Sequence, residues 1–225
     1  MNRNTKLTPM ENYFSNTWVN TRQDLTSRRF IKGEFLFRKN DPTLGVYLIQ
    51  QGFIKVRGHV NGDMVCITSL HKAGDFVGLH YILDGKSQFS SDAVCMSNTE
   101  AIFINGNDFL SFLSANYNVY MEVLKKLCLE LETMESRINA LTSRNVRQRL
   151  AGECLNLQKF FSSDENCSLN ISIDLSELSE LIHASLSTTE KLLRELIQHD
   201  IISYTNGFLK ILQADKLYCV ANLSS

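Results

Sequence analysis

No apolar run in this sequence comes close to the ~18 residues that a membrane-spanning helix needs, and the chain does not open on a charged-then-apolar leader. These absences predict a cytoplasmic protein with no membrane partner. Six cysteines, at 66, 95, 128, 154, 167 and 219, are never closer than 13 positions, so there is no C-x-x-C metal or redox motif. Reduced, mostly buried thiols are the expectation. Metal-ligand spacings, a P-loop, a nucleophile elbow and any paired His/Cys/Asp arrangement are also missing. The chain therefore does not read as an enzyme, and neither a cofactor nor a metal is expected. Charge of one sign is lacking too: the net charge is −1, and residues 142–225 carry eight Lys/Arg against ten Asp/Glu, a net of −2. That balance counts against a basic surface for phosphates. Arg144, Arg147 and Arg149, bunched at one spot, are the local exception.

What is present fills 225 residues, 44% of them apolar, enough for one large folded core or two small ones. Between residues 30 and 105, glycines at 33, 45, 52, 58, 62, 74, 78 and 85 punctuate short runs rich in aromatic and β-branched residues. The runs are 35–37, 46–49, 53–56, 64–67, 93–96 and 101–104, each a predicted strand. Asn61-Gly62 signals a two-residue hairpin, because a type I′ turn needs two positive φ angles. Many short strands with glycine turns point to a small sandwich or barrel.

Residues 108–141 turn helical. Tyr120, Leu124, Leu127, Leu131, Met134, Ile138 and Leu141 recur at alternating spacings of 4 and 3, flanked by charges. This apolar seam on a long helix predicts a parallel homodimeric coiled coil; a helix lying on its own domain's core is the alternative. Thr142-Ser143 interrupts the seam and is read as a cap for a following helix, Asn145 to Phe161. A polar loop at 162–166 and an alternating strand at 169–173 come next. Two amphipathic helices then follow, with apolar stripes Leu175, Leu178, Leu181, Ile182 and Leu192, Leu193, Leu196, Ile197, joined through His183-Ala184-Ser185. Ser185 is the expected N-cap of the second helix, whose exposed face carries Leu186, Ser187, Thr188, Lys191 and Arg194. This is a helix-turn-helix pattern, a unit that can set its second helix in the DNA major groove; any helical hairpin on a core shares the spacing. Two apolar strands around Asn206-Gly207 add a hairpin, which gives the layout of a winged helix.

Taken together, a glycine-punctuated β-roll, a long helix and a C-terminal winged helix-turn-helix resemble the Crp/Fnr family of bacterial transcription regulators, over residues from about 15 to 215. The likeness is most specific at Gly33-Glu34, at 41–52, at Ala73-Gly74-Asp75-Phe76-Val77-Gly78, and from Asp174 to Leu196. It implies an α+β chain in three parts: a cyclic nucleotide-binding-like jelly-roll over residues 1–106, a dimerisation helix over 107–143, and a winged helix-turn-helix over 144–225. It implies double-stranded DNA, a second copy of the chain and RNA polymerase as partners, and a small-molecule effector in the roll that reorients the two reading helices through a hinge at Thr142-Ser143-Arg144-Asn145. Ser185, Leu186, Ser187, Thr188, Lys191 and Arg194 would meet DNA. Gly74, Phe76, Gly78, Leu79, His80, Ser90 and Ser91 would line the effector pocket.

The chain also departs from the family. Members that bind cyclic AMP follow the glycine at the position of Gly78 with a Glu for the ribose, and about ten residues later with an Arg for the cyclic phosphate. Here those places hold Leu79 and Gln88-Phe89-Ser90-Ser91, and no Arg lies between Arg57 and Arg137. A buried phosphate needs a paired cation or dense N–H donors, so tight cyclic-nucleotide binding is not expected. Lys86 offers a point charge rather than a fork, and His80 and Tyr81 would crowd the site. The first cysteine is Cys66, which excludes the family's N-terminal iron–sulfur cluster. His59, His71 and His80 are candidate haem ligands, with surface or satisfied histidines as the alternative. Where many members start the reading helix with Arg-Glu, this one has Leu186-Ser187, groups suited to a thymine methyl and to several base edges. The missing pair and the net −2 favour a second reading, a sensor of the same fold with weak or lost DNA binding.

Overall fold

The computed structural model describes residues 27–60, 64–161 and 171–222. The Asn61-Gly62 turn, the 162–166 loop, Cys167 and the first half of the 169–173 strand lie outside the described residues. The chain divides into two compact units, residues 1–131 and 132–225.

Among the described residues, the first unit has eight strands: β1 Ser27–Phe30, β2 Phe35–Phe37, β3 Gly45–Gln51, β4 Phe53–Val60, β5 Met64–Lys72, β6 Phe76–Val77, β7 Ser91–Cys95 and β8 Thr99–Asn105. They form two four-stranded sheets, in the orders β1-β8-β3-β6 and β2-β7-β4-β5, with every pairing antiparallel. Strand alternation separates two cores. Tyr47 and Ile49 of β3 point between the sheets, with Phe37, Ile54, Ala93 and Cys95. Val46 and Leu48 point the other way, against helices. Both faces of β3 are thereby covered, so its buried stretch reads as continuously apolar rather than alternating.

A short helix, α1 (Leu79–Leu83), interrupts the roll. The single helical region expected at 108–141 is two helices, α2 (Gly106–Ala115) and α3 (Tyr117–Ser143). Asn116 leaves the helical conformation between them (φ −131°, ψ 85°), with its side-chain amide donating to the Phe112 carbonyl at 2.8 Å. Phe109, Phe112 and Leu113 of α2 and Val119 and Val123 of α3 cover the outer face of the first sheet.

The second unit holds the end of α3 and then α4 (Val146–Phe161), β9 (Ile171–Ser172), α5 (Leu175–Ile182), α6 (Leu186–Gln198), β10 (Ile202–Thr205), β11 (Phe208–Ile211) and α7 (Ala214–Asn222). Thr142 and Ser143 do not cap α4. They are the last residues of α3, and their hydroxyls donate back to the carbonyls of Ile138 and Asn139. The cap is reciprocal between Asn145 and Gln148: each backbone N–H donates to the other's side-chain oxygen at 3.0 Å. The sheet order is β10-β11-β9. Asn206 and Gly207 both have positive φ, 53° and 78°, as the hairpin signal requires. Leu150, Cys154 and Leu157 of α4, Leu178 and Ile182 of α5, Leu193 and Leu196 of α6 and Leu217 of α7 are all buried.

Candidate nucleic-acid interface and effector domain

The two-helix unit is assembled from local rules. Asp174 caps α5 in a capping box: the Glu177 N–H donates to Asp174 Oδ1 at 2.8 Å, and the Asp174 N–H donates to Glu177 Oε2 at 3.0 Å. His183 ends α5 in the left-handed region at φ 51°, tolerable for His though glycine is easier there. Ser185 then caps α6, its Oγ accepting from the Thr188 N–H at 3.2 Å. Thr189 is fully buried, and its hydroxyl donates to the Ser185 carbonyl at 2.9 Å. With Thr189, Leu193 and Leu196 turned inward, Ser185, Leu186, Ser187, Thr188, Lys191 and Arg194 are left exposed together.

That exposed face is chemically uneven. Leu186 is 51% exposed at the start of α6. Beside it stands a hydroxyl cluster in which Ser185 Oγ lies 3.1 Å from Ser187 Oγ and 2.8 Å from Thr188 Oγ1. Lys191 is exposed and makes no hydrogen bond or ion pair among the described residues. Arg194 is held by Glu190 one turn earlier. The expected basic spot at 144–149 is also divided. Arg147 is exposed, whereas the Arg149 guanidinium is turned inward onto three backbone carbonyls. Nothing in the residue pattern flagged that use of Arg149. A groove of about 320 Å³ lies nearby, with Arg137, Arg144, Glu153 and Lys159 among its lining residues; Arg137 is paired with Glu153 at 3.4 Å.

The residues expected to line the effector pocket stand in different surroundings. Phe76 and Leu79 face the core under α2 and α3. Gly74 sits in a tight turn at φ 85°, its carbonyl accepting from Lys126 Nζ of α3. His80 is exposed and lies on the Tyr81 ring, centroids 3.9 Å apart. Gly78, at φ 88°, begins α1; a Cβ there would lie 3.2 Å from the Phe89 ring. Ser90 and Ser91 come together on the Tyr81 hydroxyl, each 2.9 Å away. The space between them is aromatic: Phe89 stacks on Phe37 at 3.7 Å and meets Tyr81 edge-on at 5.0 Å. A cyclic phosphate in a pocket calls for a paired cation or dense N–H donors; the groups at this place are Leu79, two hydroxyls already on Tyr81 and buried rings. A cavity of about 260 Å³ does open elsewhere in the roll, walled by Phe37, Tyr47, Phe89 and Phe103 with Arg28 and Asp41.

The other candidate ligands are engaged. His59 Nε2 is 3.1 Å from Asp92 Oδ2. His71 is buried with Nε2 2.8 Å from Ser69 Oγ, and burial lowers its pKa from 6.5 to about 4. Lys86 pairs with Asp84 at 3.3 Å. Cys66, Cys95 and Cys154 are buried free thiols, and Cys128 and Cys219 are exposed ones. Burial pushes Cys95 up to about 11 and Cys154 up to about 12, which leaves both without thiolate character at neutral pH.

Along α3 the seam changes character. Leu127 packs on the core of its own unit. Leu131, Met134, Ile138 and Leu141 are 58%, 42%, 60% and 37% exposed, and Tyr120 is 43% exposed. Leu124 is half-buried.

Residues 27–116 match the cyclic nucleotide-binding domain. The chain is 24% identical over 199 residues to the fumarate and nitrate reduction regulatory protein of Vibrio cholerae, spanning 86% of this chain and 77% of that one. It is 22% identical over 190 residues to a CRP-like cAMP-activated global transcriptional regulator of Mycobacterium tuberculosis, spanning 84% of each. Its fold is similar to the crystal structure of a CRP/FNR family transcriptional regulator from Thermus thermophilus, with a TM-score of 0.74, 16% identity, and coverage of 89% of this chain and 100% of that one. Residues 27–116 thus match the cyclic nucleotide-binding domain, and the chain as a whole is similar in sequence and in fold to regulators of the Crp/Fnr type.

Proposed function

We propose that this protein is a homodimeric, sequence-specific DNA-binding transcription regulator of the bacterial cytoplasm, whose roll senses an effector other than cyclic AMP. The observation that carries the reading is the α6 face: six exposed side chains, Ser185 to Arg194, on a helix whose other side is locked into a winged-helix core. A helix held this way can enter the major groove with its first turns at the base edges. The relatives named as regulators support the same reading. Leu131, Met134, Ile138 and Leu141 supply an apolar stripe for a second copy. RNA polymerase is the further partner of a regulator that activates.

The test is selection from random double-stranded DNA, followed by a gel shift against the organism's upstream regions at moderate salt. The expected result is an enriched two-half-site operator. Total absence of sequence-specific retardation, with and without cell extract, would sink the proposal. One observation favours a second reading, a sensor with lost DNA binding: within residues 142–225, of net −2, Arg149 and Arg194 are already engaged by the protein itself. That reading expects the double variant Lys191→Ala, Arg194→Ala to change no promoter's output, and an altered output would refute it.

A further inference from the structure

We propose that Arg149 is the positioning residue that sets the direction of the reading helix α6 relative to the long helix α3; this rests on the DNA-reading proposal above. Its guanidinium makes three donations to three different backbone carbonyls. Nη1 donates to Arg144 at 3.0 Å, at the break between α3 and α4. Nε donates to Ile182 at 3.0 Å, the last residue of α5. Nη2 donates to His183 at 3.4 Å, in the turn between α5 and α6. A helix leaves its last carbonyls without intrahelical partners. His183 and Ala184 close the end of α5 by donating their N–H groups to Ser179 O, which leaves the Ile182 and His183 carbonyls to be met from outside. A cation there also suits the helix dipole.

The packing of α4 on α5 does not require this residue, because Leu150, Cys154, Leu178 and Ile182 are already buried around that contact. What Arg149 adds is direction. Only a planar fork with several fixed donors can hold three carbonyls at once; a lysine ammonium is a single movable point. The α6 cap, Ser185, follows His183 by two residues, so holding the His183 carbonyl fixes where α6 begins. Holding the Arg144 carbonyl with the same group ties that point to the end of α3. The Arg137–Glu153 pair also links α3 to α4. Burial, then the charges of Arg149 and Arg137, hold the His183 imidazole below its usual range. In a dimer joined along α3, the separation of the two reading helices is the half-site spacing.

The experiment compares the full-length wild type with Arg149→Lys and Arg149→Gln. In a background with Cys128, Cys167 and Cys219 replaced by Ser, spin labels at Glu135→Cys on α3 and Gln198→Cys on α6 report their distance within one protomer, diluted in unlabelled chain. The expected result is a single narrow distribution that becomes about twofold wider in both variants. On the operator enriched by the wild type, preference for the native spacing over one base pair more or less should fall about tenfold. An unchanged width overturns the proposal, and so does a wider distribution with wild-type spacing preference. Loss of the folded circular dichroism signal in both variants shows a folding residue instead and overturns it as well. If the wild type enriches no operator, the DNA-reading proposal fails alone, since the width measurement needs no DNA.

Discussion

Two residues show how far the environment of a side chain departs from its type. His71 looked from its type like a candidate ligand, yet it is buried against Ser69. Burial lowers its pKa to about 4; Asp75 opposes, and Lys126 and His80 add to the lowering. The folded state therefore binds a proton less readily than the unfolded chain. The stability His71 confers is complete above about 6.5 and is lost as pH falls from 6.5 towards 4. The loss amounts to about 3 kcal/mol. Urea midpoints measured across that window should fall more steeply in the wild type than in His71→Gln. Lys191 is the opposite case, an exposed cation without a partner among the described residues. Lys191→Ala should weaken binding to every DNA sequence alike and lower the salt slope by about 1. Fluorescence anisotropy against KCl concentration measures both. Arg194→Ala should do less, because Glu190 already holds that side chain.

At the scale of elements, the strands β2 to β5, β7 and β8, the helices α4 to α6 and the wing were legible in the pattern, because their apolar periods are long enough to identify. β1 and β6 were not. β1 is mostly exposed and polar, and β6 is two residues long, so each is defined by its pairing partner rather than by its own residues. The break at Asn116 was missed for a similar reason: Tyr117 onward continues a helical period, and only the turn of α3 onto the sheet ends α2. Register is equally a property of the pair. Gly45 stands opposite Asn105 on β8, and a Cβ on it would fall 2.0 Å from the Ile104 carbonyl oxygen and 2.7 Å from the Phe103 ring. Gly45→Ala should destabilise the first unit by about 3 kcal/mol, read as a lowered urea midpoint. The same change at Gly85, where a Cβ meets nothing within 4 Å, should act only through its positive φ of 66°.

For the whole molecule, the seam sets the largest consequence. Four apolar side chains from Leu131 to Leu141 stand exposed in a row on the single chain. Ile138→Asp should convert dimers to monomers in sedimentation velocity and abolish tight binding to a two-half-site operator. The fold of each unit should be intact by circular dichroism, since the Ile138 side chain is 60% exposed. A wild type that sediments as a monomer would refute the dimeric part of the proposal.

The sequence by itself determined what depends on neighbours along the chain. Glycine spacing marked the roll, Asn206-Gly207 marked the wing, Ser185 and the two stripes marked the helix pair, and the lack of an Arg between Arg57 and Arg137 argued against a cyclic phosphate. Only the tertiary structure decided what depends on which surface a side chain meets. Phe76 and Leu79 belong to the same short motif as Gly78, yet they serve the core under the helices, while the rings of Phe37, Phe89 and Tyr81 fill the roll. Both faces of that sheet are buried, so apolar character alone does not tell one core from the other. Arg149 shows the same limit for charge. In the sequence it was one of three arginines at a basic spot; in the fold its guanidinium is engaged by carbonyls that come from residues up to 34 positions away.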